Sequence, residues 1–184
     1  MPTRTLLSGF LLIAAGVTLY AQQPILSPRD SSSTMINGKK VSVNYGRPSM
    51  RGRPIMGELV PYNKVWRTGA NEATALLTEA DLEIGGVTLP RGSYTLYTLP
   101  SEQGWKLIIN KQTGQWGTVY NATLDFARVP LKRQDLKNPV ETFTISFRRN
   151  GANGGVLVME WEQTVLSVAF TVLNTNSNNS KTRM

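Results

Sequence analysis

Beyond its N-terminal apolar stretch the chain alternates apolar and polar side chains with a period of two, in short runs separated by turn-forming residues. Successive side chains of a strand point to opposite faces, whereas a helix needs apolar residues three and four apart. The pattern therefore calls for half-buried strands. Lys39-Lys40-Val41-Ser42-Val43-Asn44-Tyr45 places Val41, Val43 and Tyr45 on one face, and Asn37-Gly38 before it is a hairpin signal. Residues 74–78, 82–84, 87–89, 93–98, 105–110, 127–132, 142–147, 156–161 and 165–173 read as further strands, with Gly85-Gly86 turning a second hairpin. Only a turn around residues 122–126 hints at helix. The expected fold is all-β: an antiparallel β-sandwich or barrel-like fold of about nine to ten short strands.

Residues 1–21 are expected to be a secretory signal peptide. Arg4 supplies a short positive start, an uncharged apolar run follows to Tyr20, and small Ala21 precedes polar Gln22-Gln23-Pro24. A membrane anchor is the alternative, but a spanning helix needs ~20 apolar residues, and Ser8, Gly9 and Gly16 interrupt this run. Export to the periplasm or the extracellular space follows, with cleavage near Ala21 and no membrane span in the mature form. A single β domain should occupy 24–173, within the ~100–200 residues a domain takes. The segment 174–184 is rich in Asn, Ser and Thr with nothing to bury, and reads as a disordered polar tail. With no Cys, packing alone must stabilise the exported domain.

The absence of both His and Cys also bounds the chemistry. It removes the thiol nucleophile, the imidazole base, the Ser-His-Asp triad and any His- or Cys-ligated metal. No Asp- or Asn-rich loop has the spacing of a calcium site, so neither metal nor cofactor is expected. Lys and Arg total 20 against 12 Asp and Glu, a net charge of +8. Nucleic acid is not the expected partner, because export argues against it and the charge is spread without a run of about five like residues. A small anionic or carbohydrate ligand fits the compartment better. Solubility alone is the plain alternative.

One segment breaks the alternation. Residues 46–64 form a long irregular loop with three Arg, three Pro and three Gly. Structureless loops beyond ~12–15 residues are uncommon in compact domains and usually functional. Here the chain becomes familiar. Tyr45-Gly46-Arg47-Pro48-Ser49-Met50-Arg51-Gly52-Arg53, followed by Leu59-Val60-Pro61-Tyr62-Asn63-Lys64-Val65-Trp66-Arg67-Thr68-Gly69-Ala70-Asn71-Glu72-Ala73, closely resembles a bacterial family of exported proteins, domain-of-unknown-function family 2911. Thr88-Leu89-Pro90-Arg91-Gly92-Ser93-Tyr94-Thr95-Leu96-Tyr97, Asn110-Lys111-Gln112-Thr113-Gly114-Gln115-Trp116-Gly117 and Val140-Glu141-Thr142-Phe143-Thr144-Ile145 are similar to it as well. The resemblance spans roughly 24–173 and implies no activity and no catalytic residues.

The candidate ligand-binding residues are Tyr45, Arg47, Arg51, Arg53, Trp66, Arg67, Asn71 and Glu72, with Lys111 and Trp116 from a second polar patch. Arginine meets carboxylate, sulfate or phosphate oxygens with a planar fork and stacks on aromatic faces. The competing reading is that the arginines pair with Glu58 and Glu72 and pin the loop to the sheet. Trp105 and Trp161 read as core. For catalysis, Glu160 and Glu162 flank Trp161, and Asp81 and Glu83 flank Leu82, each pair ~7 Å apart on one strand face. Such pairs are ordinarily the polar side of a strand, so the catalytic residues stay unassigned. Two further readings stand beside ligand binding: a carboxylate-dependent glycan hydrolase using Glu72, and an envelope structural or interaction module.

Overall fold

The structure is a computed structural model that describes residues 26–173. The signal peptide expected at 1–21 and the polar tail expected at 174–184 lie outside the described residues. Nine strands form one antiparallel sheet: β1 (Arg29–Ile36), β2 (Lys39–Gly46), β3 (Thr74–Thr78), β4 (Leu82–Ile84), β5 (Val87–Leu89), β6 (Gly92–Leu99), β7 (Trp105–Asn110), β8 (Asp125–Asn150) and β9 (Gly154–Val172). Among the described residues a single 3₁₀ turn, Ala122–Leu124, stands where the helical hint fell. The strand order is β1-β2-β3-β6-β7-β8-β9-β4-β5, and β1 and β5 are edges, so the sheet is not closed. No helix among the described residues is long and apolar enough to cross a membrane.

Local chemistry accounts for the tight turns. Asn37 and Gly38, at φ 52 and 70, join β1 to β2, and Gly85 and Gly86, at φ 57 and 82, join β4 to β5. Two positive φ values in a two-residue hairpin match the right-handed twist of the strands. β8 is the spine of the molecule. Its residues 125–131 pair with β7 and residues 132–150 with β9. One strand thus belongs to two parts of the sheet, which folds over into a sandwich-like arrangement. The layers meet at Tyr45, whose hydroxyl donates to Ile145 O at 3.3 Å and accepts from Ile145 N at 2.9 Å. Val41, Val43, Leu96, Leu107, Ile109 and Trp161 fill the space between, all at most 1% exposed.

The strand list differs from expectation in two places. β1 was not anticipated, because Arg-Asp-Ser-Ser-Ser-Thr is polar and its pairing with β2 rests on backbone bonds along a mostly exposed edge. The four short strands expected over 127–173 are two long ones. The β8–β9 register shifts between Asp135 and Val140 and again between Val140 and Thr144. Pro139 sits inside that irregularity, where a missing N–H costs the ladder nothing. Bulges interrupt the period-two pattern without ending the strand.

The irregular segment runs from Arg47 to Ala73, past the expected 46–64. It is held on several sides. Phe143 N donates to Pro48 O and Met50 N to Glu141 O, both at 2.9 Å, while Trp66 and Thr98 exchange both backbone bonds. Ile55 and Val60 plug the core at 0% exposure. Beneath them the Glu162 carboxylate accepts from Ile55 N and Met56 N, each at 3.1 Å. Glu162 therefore anchors the loop rather than lining a solvent-facing strand surface.

Candidate functional site

Between this segment and the 117–118 turn lies a cleft of about 540 Å³. Arg53, Lys64 and Arg67 line it, and none of the described residues lining it is Asp or Glu. Trp66 and Trp161 line it too, with ring centroids 5.7 Å apart and planes 20° apart. Phe143 meets Trp66 nearly edge-on at 5.1 Å, which fixes the indole from behind. Ser27, Asn71 and Thr118 add hydrogen-bonding groups. Leu26 and Leu59 form an apolar rim, 61% and 43% exposed.

Arg67 is positioned by backbone. Its Nε donates to Gly69 O at 3.2 Å, and neither terminal nitrogen has a protein partner among the described residues. A Cβ on Gly117 would stand 2.7 Å from both Arg67 Cδ and Asn71 O, so only glycine lets this turn close against the arginine. The backbone beside Arg67 is strained. Thr68 has φ 54 and Asn71 φ 62. Asparagine tolerates the left-handed region, whereas a β-branched residue there is a true outlier. Thr68 is fully buried and held by Thr74 Oγ1, which donates to its carbonyl at 2.7 Å, and by its own hydroxyl donating to Trp66 O at 3.3 Å. Strain of this kind costs of order 1–3 kcal/mol and clusters at functional sites.

Arg53 donates from Nε to Met50 O at 2.9 Å and from Nη2 to Ser49 O at 2.8 Å. Neither Arg53 nor Arg67 forms an ion pair among the described residues. The other arginines of the cluster are committed elsewhere. Arg47 pairs with Asp30 at 3.1 Å and also donates to Phe143 O and Thr144 Oγ1. Arg51 donates to Leu26 O at 2.7 Å, bracing one wall from outside. The four arginines thus divide in two, with Arg53 and Arg67 in the cleft.

Of the ten candidate residues, the cleft gathers Arg53, Trp66, Arg67 and Asn71. Tyr45 is a core residue at 1% exposure, its hydroxyl spent on Ile145. Burial pushes its titration upward. Glu72 lies outside, paired with Arg29 at 3.1 Å rather than with the cluster. A hydrogen bond from its own backbone, then the one from Arg29, hold that carboxyl below the usual range. Trp116 bridges to Glu72 and is 51% exposed, away from the lining. Lys111 sits 5.5 Å from the centre of the Phe126 ring. Its loop is tied down by a polar network in which Asp125 accepts from Tyr120 OH at 2.7 Å, Arg128 Nε at 2.9 Å and Asn110 Nδ2 at 2.8 Å. Burial, helped by Asp125, raises Tyr120 to about 12.

Sequence reasoning missed Lys64, Ser27 and Thr118 as lining residues. Lys64 stood within the conspicuous segment. The other two arrive from distant stretches and carry no local signal. Of the other candidate carboxylates, Glu160 pairs with Arg148 at 3.1 Å and Asp81 Oδ1 accepts from Arg91 N at 2.8 Å, while Glu83 lies away from the cleft lining.

An all-β sheet carrying a cationic, aromatic-floored cleft on one long anchored loop defines the class of molecule. The chain belongs to the family described as "Protein of unknown function (DUF2911)", whose model matches residues 27–170. Comparison with curated proteins and with solved structures gives no match.

Proposed function

We propose that this protein is a binding module that holds a small anionic ligand in the cleft between Arg53, Lys64 and Arg67. The observation that carries the reading is the composition of the lining: three cations and no carboxylate among the described residues. Unneutralised arginines with free terminal N–H groups favour a carboxylate, sulfate or phosphate, which supplies both charge and acceptors. The strained backbone at Thr68 and the close turn at Gly117 support the same reading, since both hold Arg67 in place before any ligand arrives.

The hydrolase reading is the weaker one. It needs a carboxylate facing the ligand, and Glu72, Glu160 and Glu162 are engaged elsewhere. A structural module would suit Arg47, Arg51 and Arg53, whose guanidinium groups donate to Thr144 Oγ1, Leu26 O and Ser49 O. It leaves the terminal nitrogens of Arg67 without a partner among the described residues.

The test is a thermal-shift series on the wild type and Arg67→Lys with phosphate, sulfate, dicarboxylates and uronic-acid oligosaccharides. Lysine keeps the charge and loses the fork. At least one anion should stabilise the wild type. The variant should fold and bind about tenfold more weakly, because a charged hydrogen bond contributes roughly 1.5–3 kcal/mol. A wild type that no anion stabilises, beside a variant melting several degrees lower, makes the cluster architectural and ends the proposal.

A further inference from the structure

We infer that the ligand of this cleft is an acidic sugar residue, a carboxylate carried on a hydroxyl-bearing ring; the inference rests on the anion-binding reading above. Size is the first argument. A lone tetrahedral oxyanion fills a small part of about 540 Å³, a volume within the ~300–1,000 Å³ of clefts that enclose whole organic ligands.

The apolar part of the lining is the second. Trp66 and Trp161 form an offset stack along the cleft, and Leu26 and Leu59 stand exposed at its rim. An inorganic anion leaves the half-buried Trp66 and the two leucines uncovered, with buried Trp161 backing the indole. The C–H face of a pyranose ring covers such a surface.

The third argument separates a sugar acid from an aromatic or aliphatic one. Asn71 Nδ2 donates to Ser27 O at 3.3 Å. A carbonyl only accepts, so the amide orientation is fixed, and Asn71 Oδ1 has no donor among the described residues. An acceptor placed beside three cations repels a carboxylate and pairs with a ligand that also donates. Hydroxyl groups do so. Ser27 and Thr118, whose hydroxyls have no partner among the described residues, suit the same chemistry because each can donate or accept. A benzoate-like ligand would leave these groups without a partner in the closed complex, which is costly.

Isothermal titration of the protein with D-glucuronate, D-glucose, benzoate and phosphate tests this. Glucuronate should bind tightest, by about tenfold or more over each of the other three. Thr118→Val, a change at an exposed position, should weaken glucuronate about two- to tenfold. Benzoate or phosphate binding as tightly as glucuronate, or indifference of glucuronate to Thr118→Val, overturns the sugar-acid inference and leaves anion binding intact. Glucose binding as tightly as glucuronate, or no anion binding at all, overturns both.

Discussion

Arg67 owes its place to shape. No carboxylate among the described residues draws it in; a carbonyl, a left-handed threonine and a glycine turn enclose it. Gly117 is the sharpest test of that enclosure. Its backbone N–H donates to Asn71 O at 2.9 Å, the same oxygen a Cβ would press upon. Gly117→Ala should cost roughly 1–3 kcal/mol of stability through overpacking. It should also weaken anion binding, because relief of the clash moves Arg67. Chemical denaturation beside a binding titration measures both effects, and a variant with native stability and native affinity would contradict the packing account. The density of Arg, Trp and Asn at 45–72 was visible in the sequence, and so was the fork chemistry. Which arginines stay free was not. That depends on Asp30, Phe143 and Leu26 claiming Arg47 and Arg51 across long sequence distances.

At the scale of the element, the cleft wall is a loop made rigid by sheet residues. Glu162 is the main anchor. Glu162→Ala would leave Ile55 N–H and Met56 N–H without their acceptor beneath a buried plug, costing about 1–3 kcal/mol for each. Hydrogen exchange should then show the Ile55 and Met56 amides losing protection while β6 and β7 keep theirs. Equal protection in both proteins would mean the loop is held without this carboxylate. The strands themselves were readable wherever one face is buried, as in β2 and β3. β1 was hidden because a polar edge strand has no alternation to show. The unity of β8 and of β9 was hidden because bulges break the period, and only their mutual pairing reveals one continuous ribbon. The role of Glu162 was hidden because the amides that donate to it lie more than a hundred residues away.

For the molecule as a whole, burial of phenols predicts the response to alkali. Tyr45, Tyr94, Tyr97 and Tyr120 are all raised above the ordinary value of 10.0, chiefly by burial, with Tyr120 at about 12. The folded chain thus holds these protons more tightly than the unfolded one. Their contribution to stability is complete below pH 10 and is lost as pH rises through the folded values. Denaturant midpoints should fall over that window, and tyrosinate absorbance should appear later in the native protein than in the denatured one. Coincident titration curves would contradict the burial assigned to these rings.

The central claim is that the fold holds Arg53 and Arg67 open to an anion, and the guanidinium signals report on it directly. Arg67 Nε–H is held by Gly69 O and Arg53 Nε–H by Met50 O, so both protons are fixed in the free protein. In a nitrogen–proton correlation spectrum, titration with glucuronate should shift these two signals along one saturable curve. Those of Arg47 and Arg128, already engaged with Phe143 O and Asp125, should stay in place. Shifts spread evenly over all the arginines, or an unmoved Arg67 signal beside moving ones elsewhere, would contradict the account.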